Sequence, residues 1–354
     1  MIGKTIANIR DVAKCAGVSI STVSRVLNET GPASPKAREA VLRAVEATGF
    51  RPNAIGRTLK TAKSRTIGVL VPSLKNPIFA DVVQGVERAA EGEGYSILLA
   101  SSSYQPRKEK DAVEVFLSNR VAGLIVTVAD EATSPALALL RRQGVPFVLV
   151  FNPARDPGPS AVTIDNRGAA GALVEALIAL GHRRIAMIAG RFQSSDRSGL
   201  RRAGYAEALR RHGLEPGPVV EVGFETLDLR HHCAALCSAP EPPTALFCST
   251  DMLAIAAIRG LATLGVRVPE DVSVAGFDGI AVGQWIAPSL ATMVQPAEEM
   301  GAKALHHLLA RINHAAPALR LTLPYRVRPG ESWGPPREGS LLPFRAKGSE
   351  QRAS

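Results

Sequence analysis

At 354 residues, 46% hydrophobic and 21% charged, the chain has the size for one large bilobed domain plus a small one, and its composition excludes a disordered polymer. The net charge of +10 is concentrated: residues 1–65 carry 12 Lys/Arg against 4 Asp/Glu, a balance of +8, and the other 289 carry 30 against 28. Met1 to Arg10 lacks the apolar run of a secretory signal, no stretch of about 18 uncharged apolar residues occurs, and Cys15, Cys233, Cys237 and Cys248 form no disulfide framework, so no membrane partner and a cytoplasmic location are expected.

Positive charge gathered at one end is the footprint of a phosphate-binding module. There the sequence reads IRDVAKCAGVSISTVSRVLN from Ile9. Val12, Ala13 and Ala16 form a short apolar stripe, with Cys15 expected to pack beside it. Gly17 interrupts the stripe where a tight turn needs positive φ. Ser19 then caps a second helix running to about Leu27. At 100° per residue, Val26, Leu27 and Ile20 fall within about 60° of Val23, and Ser21 and Arg25 within about 20° of the opposite pole. The second helix therefore hides its valines and presents Ser21 and Arg25, with Thr22 on the flank, as a recognition helix in a major groove requires. Arg25 suits a bidentate pair with guanine, while Ser21 and Thr22 suit phosphates or base edges. A third helix starts at Ser34-Pro35, turns Val41, Ala44 and Val45 inward and stops at Gly49.

The next stretch, RPNAIGRTLKTAKSRT, predicts a short helix from the cap Asn53 to Lys60, with Ile55 and Leu59 on one face. It is shorter than the roughly 12–15 residues that hold a helix in water, and Gly56 costs about 1 kcal/mol more, so it should fold only when something packs on it.

From Thr66 onward short apolar runs alternate with amphipathic segments. Strands are predicted over 67–71, 96–100, 123–128, 146–151, 185–189, 245–248 and 272–277, with helical stretches such as Ala80–Glu91, Gly168–Leu180 and Leu253–Leu264 between them. The alternation predicts parallel sheets with helices on both faces, and two such sets, before and after about Ala161, predict two similar lobes. Ligands of open α/β sheets bind beyond the carboxyl ends of the strands. Those ends give Ser73, Asn76, Asn152, Asp251 and Asp278, with Phe79, Phe224 and Trp285 nearby in sequence. Acceptors for hydroxyl groups beside rings that stack on an apolar face describe a sugar-like site. Asp251 and Asp165 also precede helices and read equally as caps, and Phe224 also reads as core. The tail from Gly334 has no leucine heptads, so a tetramer-forming helix is not expected.

Together these strings resemble the LacI/GalR, or lactose-repressor, family of bacterial transcription regulators. The likeness is carried by DVAKCAGVSISTVSRVLN, SPKAREAVLRAVEATGFRPNAIGRTLK and TIGVLVPSLKNPIFADVVQGVERAAEGEGY. It continues more loosely in VTIDNRGAAG, LGHRRIAMIAG, RRAGYAEAL and VPEDVSVAGFDGI, over about residues 5–335. The resemblance implies an α/β fold: a three-helix helix-turn-helix head at 5–51 and a hinge helix at 52–62. A periplasmic-binding-protein-like domain of two Rossmann-like subdomains follows at 63–338, with three chain crossings, and then a tail at 339–354 expected to be disordered. It implies that Ile20, Ser21 and Arg25 read the operator, and that Leu59 wedges into the minor groove. Ser19, Thr22, Asn28, Asn53 and Arg57 complete the expected DNA-facing set. Gly56 departs from the family's usual alanine. Effector positions fall on Ile78, Phe79, Arg201, Phe224, Asp251 and Asp278, to which the strand-end reading adds Asn152; Phe151 stands where some relatives have an acidic contact.

The function implied is sequence-specific repression by a homodimer on double-stranded operator DNA, controlled by a sugar-like effector. The alternatives are a cytoplasmic solute-binding protein and an effector-independent regulator. His231, His232, Cys233 and Cys237 do not make the spaced ligand pairs of a zinc site and are expected on a helix surface. No nucleotide-binding loop, nucleophile elbow or metalloprotease motif is present, so neither cofactor nor catalysis is expected.

Overall fold

The computed structural model describes residues 7–28, 31–50, 64–153 and 158–337, in two units, Met1–Ser64 and Arg65–Ser354. Asn53, Gly56, Arg57 and Leu59 of the expected hinge and the tail from residue 338 lie outside the described residues.

The first unit is built from strong local signals. Helix α1 (Ile9–Ala16) opens with a reciprocal cap: Asn8 accepts from the Arg10 amide, and Asp11 accepts from the Asn8 amide. It ends at Gly17, whose φ of 65° a β-carbon would resist. Helix α2 (Ile20–Asn28) is capped by Ser19, whose Oγ accepts from Thr22 N at 3.2 Å. Helix α3 (Pro35–Thr48) has Ser34 as cap, proline in its first turn and Gly49 in the left-handed conformation behind it. Val12, Ala13, Val23, Val26, Val41 and Ala44 close into one small core. Cys15, expected to pack, is exposed instead: it lies just outside the stripe that Val12 and Ala13 bury.

The second unit consists of two lobes. In the first, β1 (Thr66–Val71), β2 (Ser96–Ser101), β3 (Gly123–Val126), β4 (Phe147–Val150), β5 (Ser160–Thr163) and β11 (Arg320–Thr322) form a wholly parallel sheet in the order β11-β5-β4-β3-β1-β2. Around it lie α4 (Pro77–Gly92), α5 (Pro106–Ser118), α6 (Pro135–Gln143) and α11 (Ala297–His314). In the second, β6 (Ile185–Gly190), β7 (Val219–Val222), β8 (Ala245–Cys248), β9 (Ser273–Asp278) and β10 (Ala291–Val294) are parallel, and β12 (Arg326–Arg328) runs antiparallel on the edge, giving β12-β10-β9-β8-β6-β7. Its helices are α7 (Asn166–Ala179), α8 (Asp196–Arg211), α9 (Arg230–Cys237) and α10 (Asp251–Thr263).

The inner strands are buried along nearly their whole length and mostly apolar because helices cover both faces. The chain passes between the lobes three times: from β5 to α7, from β10 to α11, and from β11 to β12. The change of lobe near Ala161 is therefore not final, since α11 and β11 return to the first sheet. Cys233 and Cys237 correct a second expectation. Both are buried rather than surface residues, and desolvation pushes their thiols up to about 12 and 11.

Candidate functional sites

On α2 the two valines that point inward leave the opposite face to polar residues. Ser21 and Arg25 are exposed. The Arg25 Nε lies 3.4 Å from the Ser21 carbonyl oxygen, back along its own helix turn. Ser19 Oγ lies 2.7 Å from Ser21 Oγ and 2.9 Å from Thr22 Oγ1, so its hydroxyl is already engaged at the helix start. Ile20 had two readings, at the margin of the core stripe or in the groove. The structure leaves it 43% exposed, on the open side. Asn28 is the last residue of α2.

In the large unit the carboxyl ends of the two sheets converge on a cleft of roughly 350 Å³. From the first lobe come Asn76, Ile78 and Phe79 at the start of α4, Tyr104 after β2 and Phe151 after β4. From the second come Ser195, Arg197, Ser198 and Arg201 at the start of α8, Phe224 after β7, Thr250, Asp278 and Gln295. One side is aromatic: Phe79 meets Phe151 edge-on at 5.6 Å and Tyr104 at 6.3 Å, and Tyr104 is stacked on Phe224 at 4.3 Å. Phe224 reaches that place because Gly190, at the end of β6, offers no side chain. A β-carbon there would stand 2.2 Å from the ring.

The polar side centres on Asp278, which accepts from Asn76 Nδ2 at 3.0 Å and from Gln295 Nε2 at 2.9 Å, with Arg201 Nη1 at 3.5 Å. Burial raises its pKa, against the pull of Arg201. Arg201 also donates to Asn166 Oδ1 (2.9 Å) and the Ser249 carbonyl (2.5 Å), and its guanidinium lies over the Phe277 ring at 3.7 Å. Burial lowers its pKa to about 10. Gln295 spends its amide nitrogen on Asp278, and its Oε1 is buried without a hydrogen-bond partner among the described residues. An unpaired buried acceptor costs about 1–3 kcal/mol and asks for a donor.

Four non-glycine residues with φ between 52° and 134°, Ser103, Tyr104, Phe151 and Asp278, lie at or beside this cleft. Such conformations cost roughly 1–3 kcal/mol each and gather where function over-determines the backbone.

Of the expected effector residues, Ile78, Phe79, Arg201, Phe224 and Asp278 line this cleft, and Asn152 and Asp251 do not. The Asn152 amide is consumed by both backbone groups of Val128, at 2.9 Å each, and by Asp196 Oδ2 at 2.8 Å. Asp251 is fully buried behind the cleft, where its carboxylate accepts from Gly279 N, Ile280 N and Thr292 Oγ1. Thr250, not Asp251, caps α10, whereas Asp165 does cap α7. Desolvation, then the charge of Asp278, raises the Asp251 pKa. Trp285 is 79% exposed and is not among the lining residues.

Tyr104, Arg197, Ser195, Ser198, Thr250 and Gln295 were not selected from the sequence, and Phe151 entered only as standing where some relatives have an acidic contact. Tyr104 and Gln295 follow strand ends, and the same strand-end rule reaches them once β2 is extended by its turn and β10 is recognised.

The lobes are tied on both sides of the cleft. Ser73 Oγ donates to Glu225 Oε1 at 2.9 Å and Lys75 Nζ to Glu225 Oε2 at 2.5 Å. At the other margin, Asp196 receives Asn152 Nδ2 and Glu131 N, and Arg197 Nη1 donates to the Val128 carbonyl at 2.8 Å. Among the described residues no helix is long and apolar enough to cross a membrane, and no group of three His, Cys, Asp or Glu side chains is placed to hold a metal ion.

A helix-turn-helix unit followed by two parallel-sheet lobes that share a cleft defines a DNA-binding regulator with a periplasmic-binding-protein-like domain. Residues 8–53 match "Bacterial regulatory proteins, lacI family", and residues 174–333 match "Periplasmic binding protein-like domain". The HTH-type transcriptional repressor PurR of Haemophilus influenzae (strain PittEE) is 36% identical over 316 residues, covering 87% of this chain and 92% of that protein. Among solved structures, the lac repressor dimer bound to operator and the anti-inducer ONPF superposes with a TM-score of 0.81 at 28% identity, covering 93% of this chain and all of that one. The transcriptional regulator CelR–cellobiose complex gives 0.68 at 31% identity, covering 92% and 99%. The chain belongs to the lacI family of bacterial regulatory proteins and is a DNA-binding transcriptional regulator.

Proposed function

We propose that this regulator is a cytoplasmic homodimeric repressor, not an enzyme, whose hold on its operator is set by a sugar-like molecule in the interlobe cleft. The observation that carries the effector half is the buried Gln295 Oε1, without a partner among the described residues, in a cleft lined also by Asp278, Arg201 and a set of aromatic rings. Donors and acceptors opposite apolar ring faces suit a cyclic polyol, which offers hydroxyls around its rim and C–H groups on its faces. The relative solved with cellobiose supports the class.

The DNA half rests on α2. Arg25 reads a guanine edge, Ile20 meets a thymine methyl, and Ser21, with Thr22 beside it, contacts bases or phosphates. Ser19 acts first as cap, and Asn28, Asn53, Arg57 and Leu59 stay in the proposed DNA-facing set. Two such heads match the half-sites of a pseudo-palindrome, and the lac repressor dimer on its operator supports that stoichiometry.

The test is selection of duplexes from a random pool by the intact chain. Mobility shifts of the selected site follow, with cellobiose, ONPF and pools of sugars, sugar acids and purines. Enrichment of one palindrome, with an affinity moved at least fivefold by a small molecule, is expected. Failure to enrich any sequence overturns the DNA half, and indifference to every pool overturns the effector half.

A further inference from the structure

Tyr104 belongs to the first lobe, yet its ring lies parallel to that of Phe224 in the second, 4.3 Å away and tilted by 7°. Its other neighbour is Phe79, edge-on at 6.3 Å. The backbone bends against its own preference to deliver the ring there: Ser103 and Tyr104 are consecutive non-glycine residues with φ of 52° and 57°. A non-glycine residue held left-handed is strained, so the loop is poised to relax if the ring leaves.

The ring is half-buried and held weakly. Tyr104 N donates to the Pro72 carbonyl at 3.2 Å, but the hydroxyl makes no hydrogen bond among the described residues, and stacking adds only modestly to what the buried area supplies. With the tyrosine inside, the enclosed space left in the cleft is only about 20 Å³, far below the several hundred Å³ of small-molecule sites. The acceptor Gln295 Oε1 meanwhile stays unused. The polar fittings for a ligand are present, and the ring slot is filled by the protein itself.

We propose that Tyr104 is a built-in competitor for the ring slot of this cleft: it stacks on Phe224 while no small molecule is bound, bridges the lobes, and leaves before a cyclic ligand takes the same face. This rests on the cleft being the effector site, and it makes effector affinity a net quantity, the gain from the ligand's contacts less the loss of the internal stack. A regulator built this way ignores weak ring-containing metabolites and responds only to one whose polar rim also engages Gln295.

The experiment uses the full chain and p-cresol, the tyrosine side chain as a free molecule. Tyr104→Gly removes the ring and also suits the left-handed backbone, so it should fold at least as readily as Tyr104→Ala. Isothermal titration should show saturable one-site binding of p-cresol to Tyr104→Gly, none to wild type or Tyr104→Phe, and none to Tyr104→Gly combined with Phe224→Ala. In the second arm, whichever of cellobiose, ribose or ONPF binds should bind Tyr104→Gly at least tenfold more tightly than wild type, with p-cresol competing. A Tyr104→Gly protein that takes up no p-cresol overturns the proposal. So does weaker sugar binding that p-cresol restores, because the tyrosine is then a wall of the ligand's site and not its rival. If none of the three sugars binds either protein, the sugar reading fails while the p-cresol arm still decides the role of Tyr104.

Discussion

Gly190 is the position where the aromatic wall is most exposed to a single atom. An alanine there would set its β-carbon 2.2, 2.4 and 2.5 Å from three atoms of the Phe224 ring, well inside van der Waals contact. Phe224 is only partly buried, so it can turn outward, and the cost is then the stack on Tyr104, about 0.5–1.5 kcal/mol beyond buried area. If the ring stays, overpacking costs about 1–3 kcal/mol. Either route predicts a loss of about 1–3 kcal/mol. Gly199 supplies the control. It lies inside α8 with nothing within 4 Å of a built β-carbon, so Gly199→Ala should gain up to about 1 kcal/mol from helix propensity alone. Urea unfolding followed by tryptophan emission separates the two, since both tryptophans, Trp285 and Trp333, belong to the large unit. A Gly190→Ala protein as stable as Gly199→Ala, with unchanged small-molecule response, would refute the placement of Phe224 against the β6 end.

Two further outcomes are expected. Arg25→Ala should lose about 1–3 kcal/mol of discrimination between the operator and a site altered at one base pair, with non-specific binding nearly unchanged; mobility shifts on both duplexes measure this, and equal losses on both would exclude base reading. The raised Asp251 pKa means that its protonated form stabilises the fold fully below the ordinary carboxylate value and that this contribution is lost as pH rises through the folded value. Asp251→Asn keeps the shape and removes the charge beside Asp278, so the fall in melting temperature from pH 5 to pH 8 should be smaller in the variant than in wild type. A larger fall would mean that the helix N-terminus and the two amide donors already hold Asp251 comfortably ionised.

What the sequence disclosed, and what it withheld, follows from the range of the forces involved. The head was legible almost to the residue because its signals are local: Ser34-Pro35, Gly17 and Gly49 each act within one turn. Six interior strands and the edge strand β2 were legible as apolar runs. The strands that escaped notice, β5, β7, β10, β11 and β12, are three or four residues long, and most carry a polar or charged residue, so length and alternation gave no contrast. At the cleft, knowing which residues follow strands gave Asn76 and Asp278, but it could not tell a side chain aimed at a ligand from one aimed at a neighbouring loop. Asn152 and Asp251 have the right chemistry and the right address, and both are spent on backbone groups inside the protein. That distinction depends on three-dimensional neighbours such as Val128 and Gly279, distant in sequence from the residues they satisfy.

The distribution of cleft residues also bears on how a small molecule can exert control. A ligand confined to one lobe would bind equally well at any interlobe angle and would shift nothing, however tightly it bound. Here the ring wall is supplied by both lobes, and the carboxylate Asp278 is joined across the cleft to Asn76, so a ligand's contacts are complete only when the lobes are together. Moving a population from 1:99 to 99:1 takes about 5.5 kcal/mol of differential affinity. With hydrogen bonds worth about 0.5–1.5 kcal/mol net each, roughly four to eleven bonds made only in one arrangement supply it. The protein's own ties between Glu225 and Ser73 or Lys75, and between Asp196 and Asn152, already favour that arrangement, which lowers what a ligand has to add. Loosening either tie should therefore weaken small-molecule binding even though Ser73, Lys75, Glu225, Asp196 and Asn152 are not among the residues that line the slot. A regulator whose lobes moved independently of these pairs would show no such linkage.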